Sequence, residues 1–278
     1  MSLVLRWFLL LVVPLAVACA PDHLVQGRAY EVRVPGQFDG ATPLPMVILL
    51  HGFGVTGRVQ DLVFPVSGQL DERQFLYVLP NGTADRNGKR FWNATEACCA
   101  GSLEVDDVSF LRALVDDVKA RYPVAPGKVF LVGHSNGAFM SLRLACDASD
   151  VFTGVVAVSG STFEDATRCG AGQPVPILLA HGDRDSSVPI DGSPGRYPGA
   201  RETGLRFARR NGCTGTWQEG ERLDLLGGAD AETQQTLIGG CTKQGSVELW
   251  THEGTGHLPL YDERWTARIL DWLLERAR

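Results

Sequence analysis

The sequence predicts an α/β protein with a mostly parallel central sheet and helices on both faces. Short continuous apolar runs recur along the chain, and segments of helical periodicity separate several of them. Parallel strands need crossover connections, usually helices, so this alternation points to a sheet covered on both sides. The chain has 278 residues, 44% of them hydrophobic, enough for one large domain around one buried core.

The segment 1–18 precedes that domain. Arg6 is followed by an apolar stretch from Trp7 to Val17, too short for a helix across a bilayer core, which takes about 20 residues. It suits the hydrophobic region of a signal peptide. Leu15-Ala16-Val17-Ala18-Cys19 resembles a bacterial lipobox, in which Cys19 is lipidated and becomes the mature N-terminus. Ordinary cleavage after Ala18 is the alternative. Both expect residues 19–278 to be a single exported domain, with membrane attachment only through a lipidated Cys19.

Strands are expected at 29–34, where apolar and polar residues alternate, and at the apolar runs 46–50, 75–79, 129–132, 154–158, 175–180 and 247–250. Helices are expected at 107–122, with Asp106 or Asp107 as N-cap, at 138–145, at 265–274 and, more weakly patterned, at 202–210. Two stretches, 81–104 and 219–240, fit the alternation poorly and are read as surface excursions.

Composition narrows the function classes. The formal charge is −6 and no Lys/Arg run is present, so a nucleic-acid partner is not expected. Setting Cys19 aside leaves Cys98, Cys99, Cys146, Cys169, Cys213 and Cys241. An even number in an exported chain suggests disulfides. Sequence order pairs Cys213 with Cys241 and Cys146 with Cys169, leaving Cys98 and Cys99 for each other or for a rearranged set. The rival reading, a metal site, lacks both a CxxC and histidines at ligand spacing. Neither metal nor cofactor is expected, and nothing in the sequence specifies an oligomeric state.

The chemistry centres on Gly133-His134-Ser135-Asn136-Gly137, which lies between the strand at 129–132 and the helix at 138–145. In a chain with 32 glycines a GxSxG alone is weak, and the strand–turn–helix context supplies most of its weight. A sharp turn brings the backbone close to itself, which favours residues without Cβ. It presents Ser135 at the head of a helix, where developing negative charge is favoured. A serine hydroxyl needs a base, usually a histidine held by a carboxylate, and on this scaffold the chain order is Ser, acid, His. Asp185, on the loop after the strand at 175–180, is the chosen acid, and Asp183 is assigned to the turn. His257, in a loop between the last strand and the last helix, is the chosen base. His181 precedes the acid and reads as a packing residue, His252 ends a strand, and His51 precedes the nucleophile and reads as a loop brace. The backbone N–H groups of Asn136 and of Phe53, in the turn after the strand at 46–50, are the candidate oxyanion donors.

Taken with Leu50-His51-Gly52, Tyr77-Val78-Leu79-Pro80-Asn81-Gly82, Trp92-Asn93-Ala94, Cys98-Cys99, Asp106-Asp107-Val108, Asn211-Gly212-Cys213 and Gly256-His257, the chain resembles the polyhydroxybutyrate depolymerase and feruloyl esterase group of secreted hydrolases. That group includes mycobacterial-type esterase lipoproteins. The resemblance implies an α/β-hydrolase fold, hydrolysis of carboxylic esters, and Ser135, Asp185 and His257 as the triad. One departure bears on substrate: the group often has Trp-Pro shortly after the Gly-His, and here Leu258-Pro259 follows His257. Trp92 is a candidate wall of the acyl or alcohol pocket, with loop packing as the other reading. His134 either faces the substrate or fills the flank of the elbow. Expected substrates are hydroxybutyrate oligomers or feruloylated and acetylated polysaccharides. A peptidase or thioesterase on the same triad, and a non-catalytic binding lipoprotein on the same scaffold, are the rival readings.

Overall fold

The computed structural model describes residues 23–97, 99, 105–227 and 232–276. Segment 1–18, expected to be a signal peptide, the lipidation candidate Cys19, and Cys98 lie outside the described residues.

The chain enters a ten-stranded sheet through the hairpin β1 (His23–Val25) and β2 (Arg28–Arg33), then runs into β3 (Leu44–Leu50). Helices α1 (Gly57–Val63) and α2 (Leu70–Arg73) lead to β4 (Leu76–Pro80). A small ribbon, β5 (Thr83–Ala84) with β6 (Arg90–Phe91), precedes α3 (Asp107–Arg121). Next come β7 (Val124–His134), α4 (Asn136–Asp147), β8 (Gly154–Val158) and β9 (Ile177–Gly182). A second ribbon, β10 (Gly192–Ser193) with β11 (Tyr197–Pro198), leads into α5 (Ala200–Arg210). The hairpin β12 (Trp217–Leu223) and β13 (Thr233–Ile238), then β14 (Val247–His252) and α6 (Glu263–Glu275), complete the fold.

The strand order is β1-β2-β4-β3-β7-β8-β9-β14-β13-β12. The central strands β4, β3, β7, β8, β9 and β14 are parallel, and an antiparallel pair extends each edge. The apolar runs are continuous because both faces of these strands are covered. Met46, Ile48, Leu131, Ala157 and Leu179 pack on the side of α3, α4 and α5 with Leu111, Phe139 and Phe207. Their neighbours Val47, Leu49, Val132, Val156 and Leu178 pack on the other side with Phe64, Trp265 and Ile269. Asp106 is the N-cap of α3, its carboxylate accepting the Ser109 N–H.

The stretch 219–240 proves to hold most of the edge hairpin β12/β13, with β12 largely exposed. Solvent on both sides of that strand removes the alternation by which a half-buried strand is recognised. The disulfides Cys146–Cys169 and Cys213–Cys241 are formed, and Cys99 is disulfide-bonded as well. They close separations of 23 and 28 residues, each worth about 3 kcal/mol if the stabilisation is entropic. Among the described residues no helix is long and apolar enough to cross a membrane.

Parallel strands end at one edge, so the segments that follow β3, β7, β8, β9 and β14 converge there. They carry Phe53, Ser135, Ser159, Asp185 and His257 respectively.

Candidate active site

Ser135 lies between β7 and α4 with φ 54° and ψ −120°, a backbone region that costs a non-glycine residue about 1–3 kcal/mol and persists only where its surroundings impose it. The flanking glycines are required by close approach. A Cβ on Gly133 would lie 2.3 Å from the Gly137 carbonyl oxygen, and one on Gly137 would lie 2.0 Å from that of Leu50.

The structure brings Ser135, His257 and Asp185 into one hydrogen-bonded line. His257 Nε2 is 3.0 Å from Ser135 Oγ, and His257 Nδ1 is 2.7 Å from Asp185 Oδ2. Oδ1 of Asp185 accepts the Ser187 and Val188 amides, both at 2.8 Å. Burial would raise the Asp185 pKa, but hydrogen bonds from His181, His257 and the Val188 amide outweigh it and hold the carboxyl well below its usual range. Asp183 is exposed and accepts the Gly254 N–H at 2.7 Å, so it secures the loop that leads to His257.

The two amides singled out for an oxyanion flank this line. Asn136 opens α4 directly after Ser135. The turn holding Phe53 is pressed against the elbow: a Cβ on Gly52 would meet Ser135 Cβ at 3.6 Å and His134 Nδ1 at 3.1 Å. Gln60 Oε1 accepts the Gly52 N–H at 3.0 Å. His51 braces the same turn, with Nδ1 donating to the Gly52 carbonyl at 2.7 Å and Nε2 accepting the Gly82 N–H at 2.9 Å. A cavity of about 300 Å³ opens onto Ser135 and His257. Its walls include Phe53, Val55, Val59, Val63 and Leu258. A larger cavity, about 410 Å³ between residues 162–171 and the end of α5, contains neither Ser135 nor His257.

Trp92 does not line the cavity at Ser135 and His257, so of its two readings, pocket wall and loop packing, the structure carries the second. It is fully buried, and its indole N–H donates to the His51 carbonyl at 3.0 Å. Its backbone N–H and C=O are both paired with the Asn136 carboxamide, at 2.6 and 2.8 Å. Loop packing is therefore its function here, and Asn136 owes its side chain to that loop. His134 reaches the cavity and packs against the His257 ring, with centroids 5.0 Å apart.

Two groups escaped the sequence reading. His181 is more than packing: its Nε2 donates to the Val188 carbonyl at 2.7 Å and lies 3.4 Å from Asp185 Oδ2. Ser159 donates to the His257 carbonyl at 3.0 Å. An isolated serine after an apolar strand leaves no pattern to find.

Burial pushes three histidines down, His51 to about 4, His134 to about 4 and His252 to about 3. An unfolded histidine titrates near 6.5. The unfolded chain therefore takes up protons first as pH falls, and the stability these groups contribute, fully present above about pH 6.5, is lost toward pH 4. Urea unfolding at pH 7.5 and pH 5 should show a loss of about 2 kcal/mol per histidine. Equal stability at both pH values would contradict the neutral, buried assignment.

Comparisons with known proteins agree with this fold. Residues 39–193 match the family described as phospholipase/carboxylesterase. Feruloyl esterase D of Neurospora crassa is 26% identical over 249 residues, covering 84% of this chain and 75% of the relative. Poly(3-hydroxyalkanoate) depolymerase C of Paucimonas lemoignei is 28% identical over 123 residues, or 44% of this chain, which spans only 29% of the depolymerase. Among solved structures, acetyl xylan esterase from Aspergillus awamori shares the fold, with TM-score 0.68 and 15% identity over 89% of this chain and 94% of that one. The family match covers more than half of the sequence, and the chain belongs to the phospholipase/carboxylesterase family, as a carboxylic-ester hydrolase of the α/β-hydrolase type.

Proposed function

We propose that the chain is an exported serine esterase that cleaves oxygen esters by two-step acyl transfer. The observation that carries this reading is the position of one imidazole, His257, between the Ser135 hydroxyl and the Asp185 carboxylate at hydrogen-bond distance. His257 takes the proton from Ser135 as the oxygen attacks the ester carbonyl, and Asp185 orients and stabilises the imidazolium. The Phe53 and Asn136 amides hold the oxyanion, helped by the N-terminus of α4. His257 then returns the proton to the departing alcohol, and water releases the acid by the same steps. The disulfides favour an oxidising compartment, in keeping with export by segment 1–18 and attachment through Cys19.

The cavity walls suit an uncharged, apolar acyl group: among the described residues His134 and His257 are the ionisable side chains that line them. Hydroxybutyrate oligomers and feruloyl or acetyl polysaccharide esters meet that condition. With Leu258 aliphatic where an aromatic wall is common, short aliphatic acyl groups are preferred over the feruloyl group. The test is hydrolysis of p-nitrophenyl acetate and butyrate, methyl ferulate, acetylated xylan and hydroxybutyrate oligomers, alongside labelling by an alkyl phosphonate. Aliphatic esters should be cleaved fastest, and with a fluorophosphonate as the probe Ser135 Oγ should displace fluoride from phosphorus, leaving the alkylphosphonyl group on the peptide containing Ser135. Silence across the panel from folded protein, or an adduct elsewhere, would overturn the reading.

A further inference from the structure

The carbonyl of His257 accepts two side-chain hydrogen bonds, from Ser159 Oγ at 3.0 Å and from His134 Nε2 at 3.2 Å. Among the described residues these are the hydrogen bonds to the backbone of His257. Beyond it Leu258 and Leu260 are exposed, while Pro259 and Tyr261 are buried. Both donors come from the nucleophile's side of the site. His134 immediately precedes Ser135. Ser159 follows Val158, whose carbonyl accepts the Ser135 N–H at 2.9 Å.

Ser159 itself is held without freedom. It is fully buried, its N–H donates to the Ala180 carbonyl at 2.9 Å, and the next residue, Gly160, is pressed on Ala138 of α4 so closely that a Cβ would lie 2.4 Å from Ala138 Cβ. Its φ is +52°, in the left-handed region that a serine enters only under constraint. Retaining a strained serine where glycine would sit freely calls for a use of the hydroxyl. His134, buried and kept neutral because burial lowers its pKa to about 4, has one ring proton to give, and donation to the His257 carbonyl places it on Nε2.

We propose that Ser159 and His134 are positioning residues that clamp the His257 carbonyl and so register the general base against Ser135. The inference rests on the reading of Ser135 and His257 as nucleophile and base. Two consecutive residues of one strand end, Val158 and Ser159, then hold the nucleophile's amide and the base's carbonyl, so the spacing between the two reacting groups is set by one rigid dipeptide. His134 ties the same pair from the other side.

The test is steady-state kinetics of Ser159→Gly, His134→Phe and the double variant, with Ser135→Ala beside them. Glycine accepts φ +52° without strain, so Ser159→Gly removes the hydroxyl while leaving the fold at least as stable, which thermal unfolding checks. Each single variant should lower kcat by about 10–100-fold, the scale of a modest misplacement of a catalytic group. In Ser159→Gly, whose side chain is not part of the cavity wall, KM should stay within about twofold, because ground-state binding is untouched. The rate of phosphonate labelling of Ser135 should fall in parallel, a readout that a merely structural role would not move. Singles with kcat and labelling within about twofold of the parent, while Ser135→Ala is inactive, would overturn the clamp alone. An active Ser135→Ala would instead remove the nucleophile reading on which the clamp rests.

Discussion

Ser135→Ala is expected to leave a folded protein whose ester turnover is lower by about 10⁴-fold or more, the loss seen when the nucleophile of such a triad is removed. The expectation has two independent parts. The hydroxyl's hydrogen bond among the described residues is to His257, so its loss leaves no buried donor or acceptor stranded in the core. Alanine retains the Cβ and hence the same strained φ of 54°. Stability should therefore stay within about 0.5–1 kcal/mol of the parent, the ordinary range for a change that opens no cavity. Loss of activity with an unchanged melting temperature assigns the effect to chemistry. A variant still turning over at more than a tenth of the parental rate would mean that another group attacks the ester. Ser187→Ala is the matched control: Ser187 also lines the cavity, yet among the described residues His257 hydrogen-bonds to Ser135 and Asp185 and not to it, and its removal should cost little.

The sequence was most legible where both faces of a strand are buried. The runs at 46–50, 154–158 and 175–180 read as strands because every position is apolar, and they became β3, β8 and β9 in a parallel sheet. The helices α3, α4, α5 and α6 were legible from their apolar patterns, although α4 begins at Asn136, two residues before its pattern; α1 and α2, of seven and four residues, are too short to show one and were not expected. The hairpin β12/β13 was not legible, since Trp217–Leu223 is polar, contains a glycine and lies at an edge. At the site, Ser135 was singled out from the elbow, whose turn constrains neighbouring residues in sequence, and His257 from its loop between the last strand and the last helix. Asp185 needed the strand before it to be recognised. The groups that act through space without a local pattern stayed hidden. Ser159 carries its meaning in a positive φ, and His181 carries its own in a turn that folds it back on Asp185. Trp92 shows the opposite case, an aromatic residue in a glycine-rich loop for which a pocket wall was one reading and which packing buries instead.

Asp185→Asn should lower kcat by about 10⁴-fold near neutral pH, an effect far larger than the loss of one surface charge, because it fixes the base in the wrong tautomer. The backbone decides the outcome. The Ser187 and Val188 amides both point at Oδ1, at 2.8 Å, so the asparagine oxygen must take that position to accept them. The amide nitrogen is then forced to the place of Oδ2, where it faces His257 Nδ1 at about the present 2.7 Å and presents a donor. His257 can pair with it only by giving up the Nδ1 proton and carrying it on Nε2, and an Nε2–H cannot accept the proton of Ser135. The opposite flip would leave the buried Val188 N–H and the part-buried Ser187 N–H facing an NH₂ group, which costs about 1–3 kcal/mol for the buried donor. His181 deepens the conflict, since its Nε2–H, donating to Val188 at 2.7 Å, also lies 3.4 Å from the same carboxylate oxygen. The measurement is kcat together with nitrogen chemical shifts of the His257 ring, which distinguish the two tautomers directly. Asp183→Asn, at an exposed carboxylate that holds only the Gly254 amide, should change kcat by no more than about threefold. If Asp183→Asn were the damaging change and Asp185→Asn the mild one, the acid would have to be reassigned, and the chain of bonds from Asp185 through His257 to Ser135 would be structural rather than catalytic.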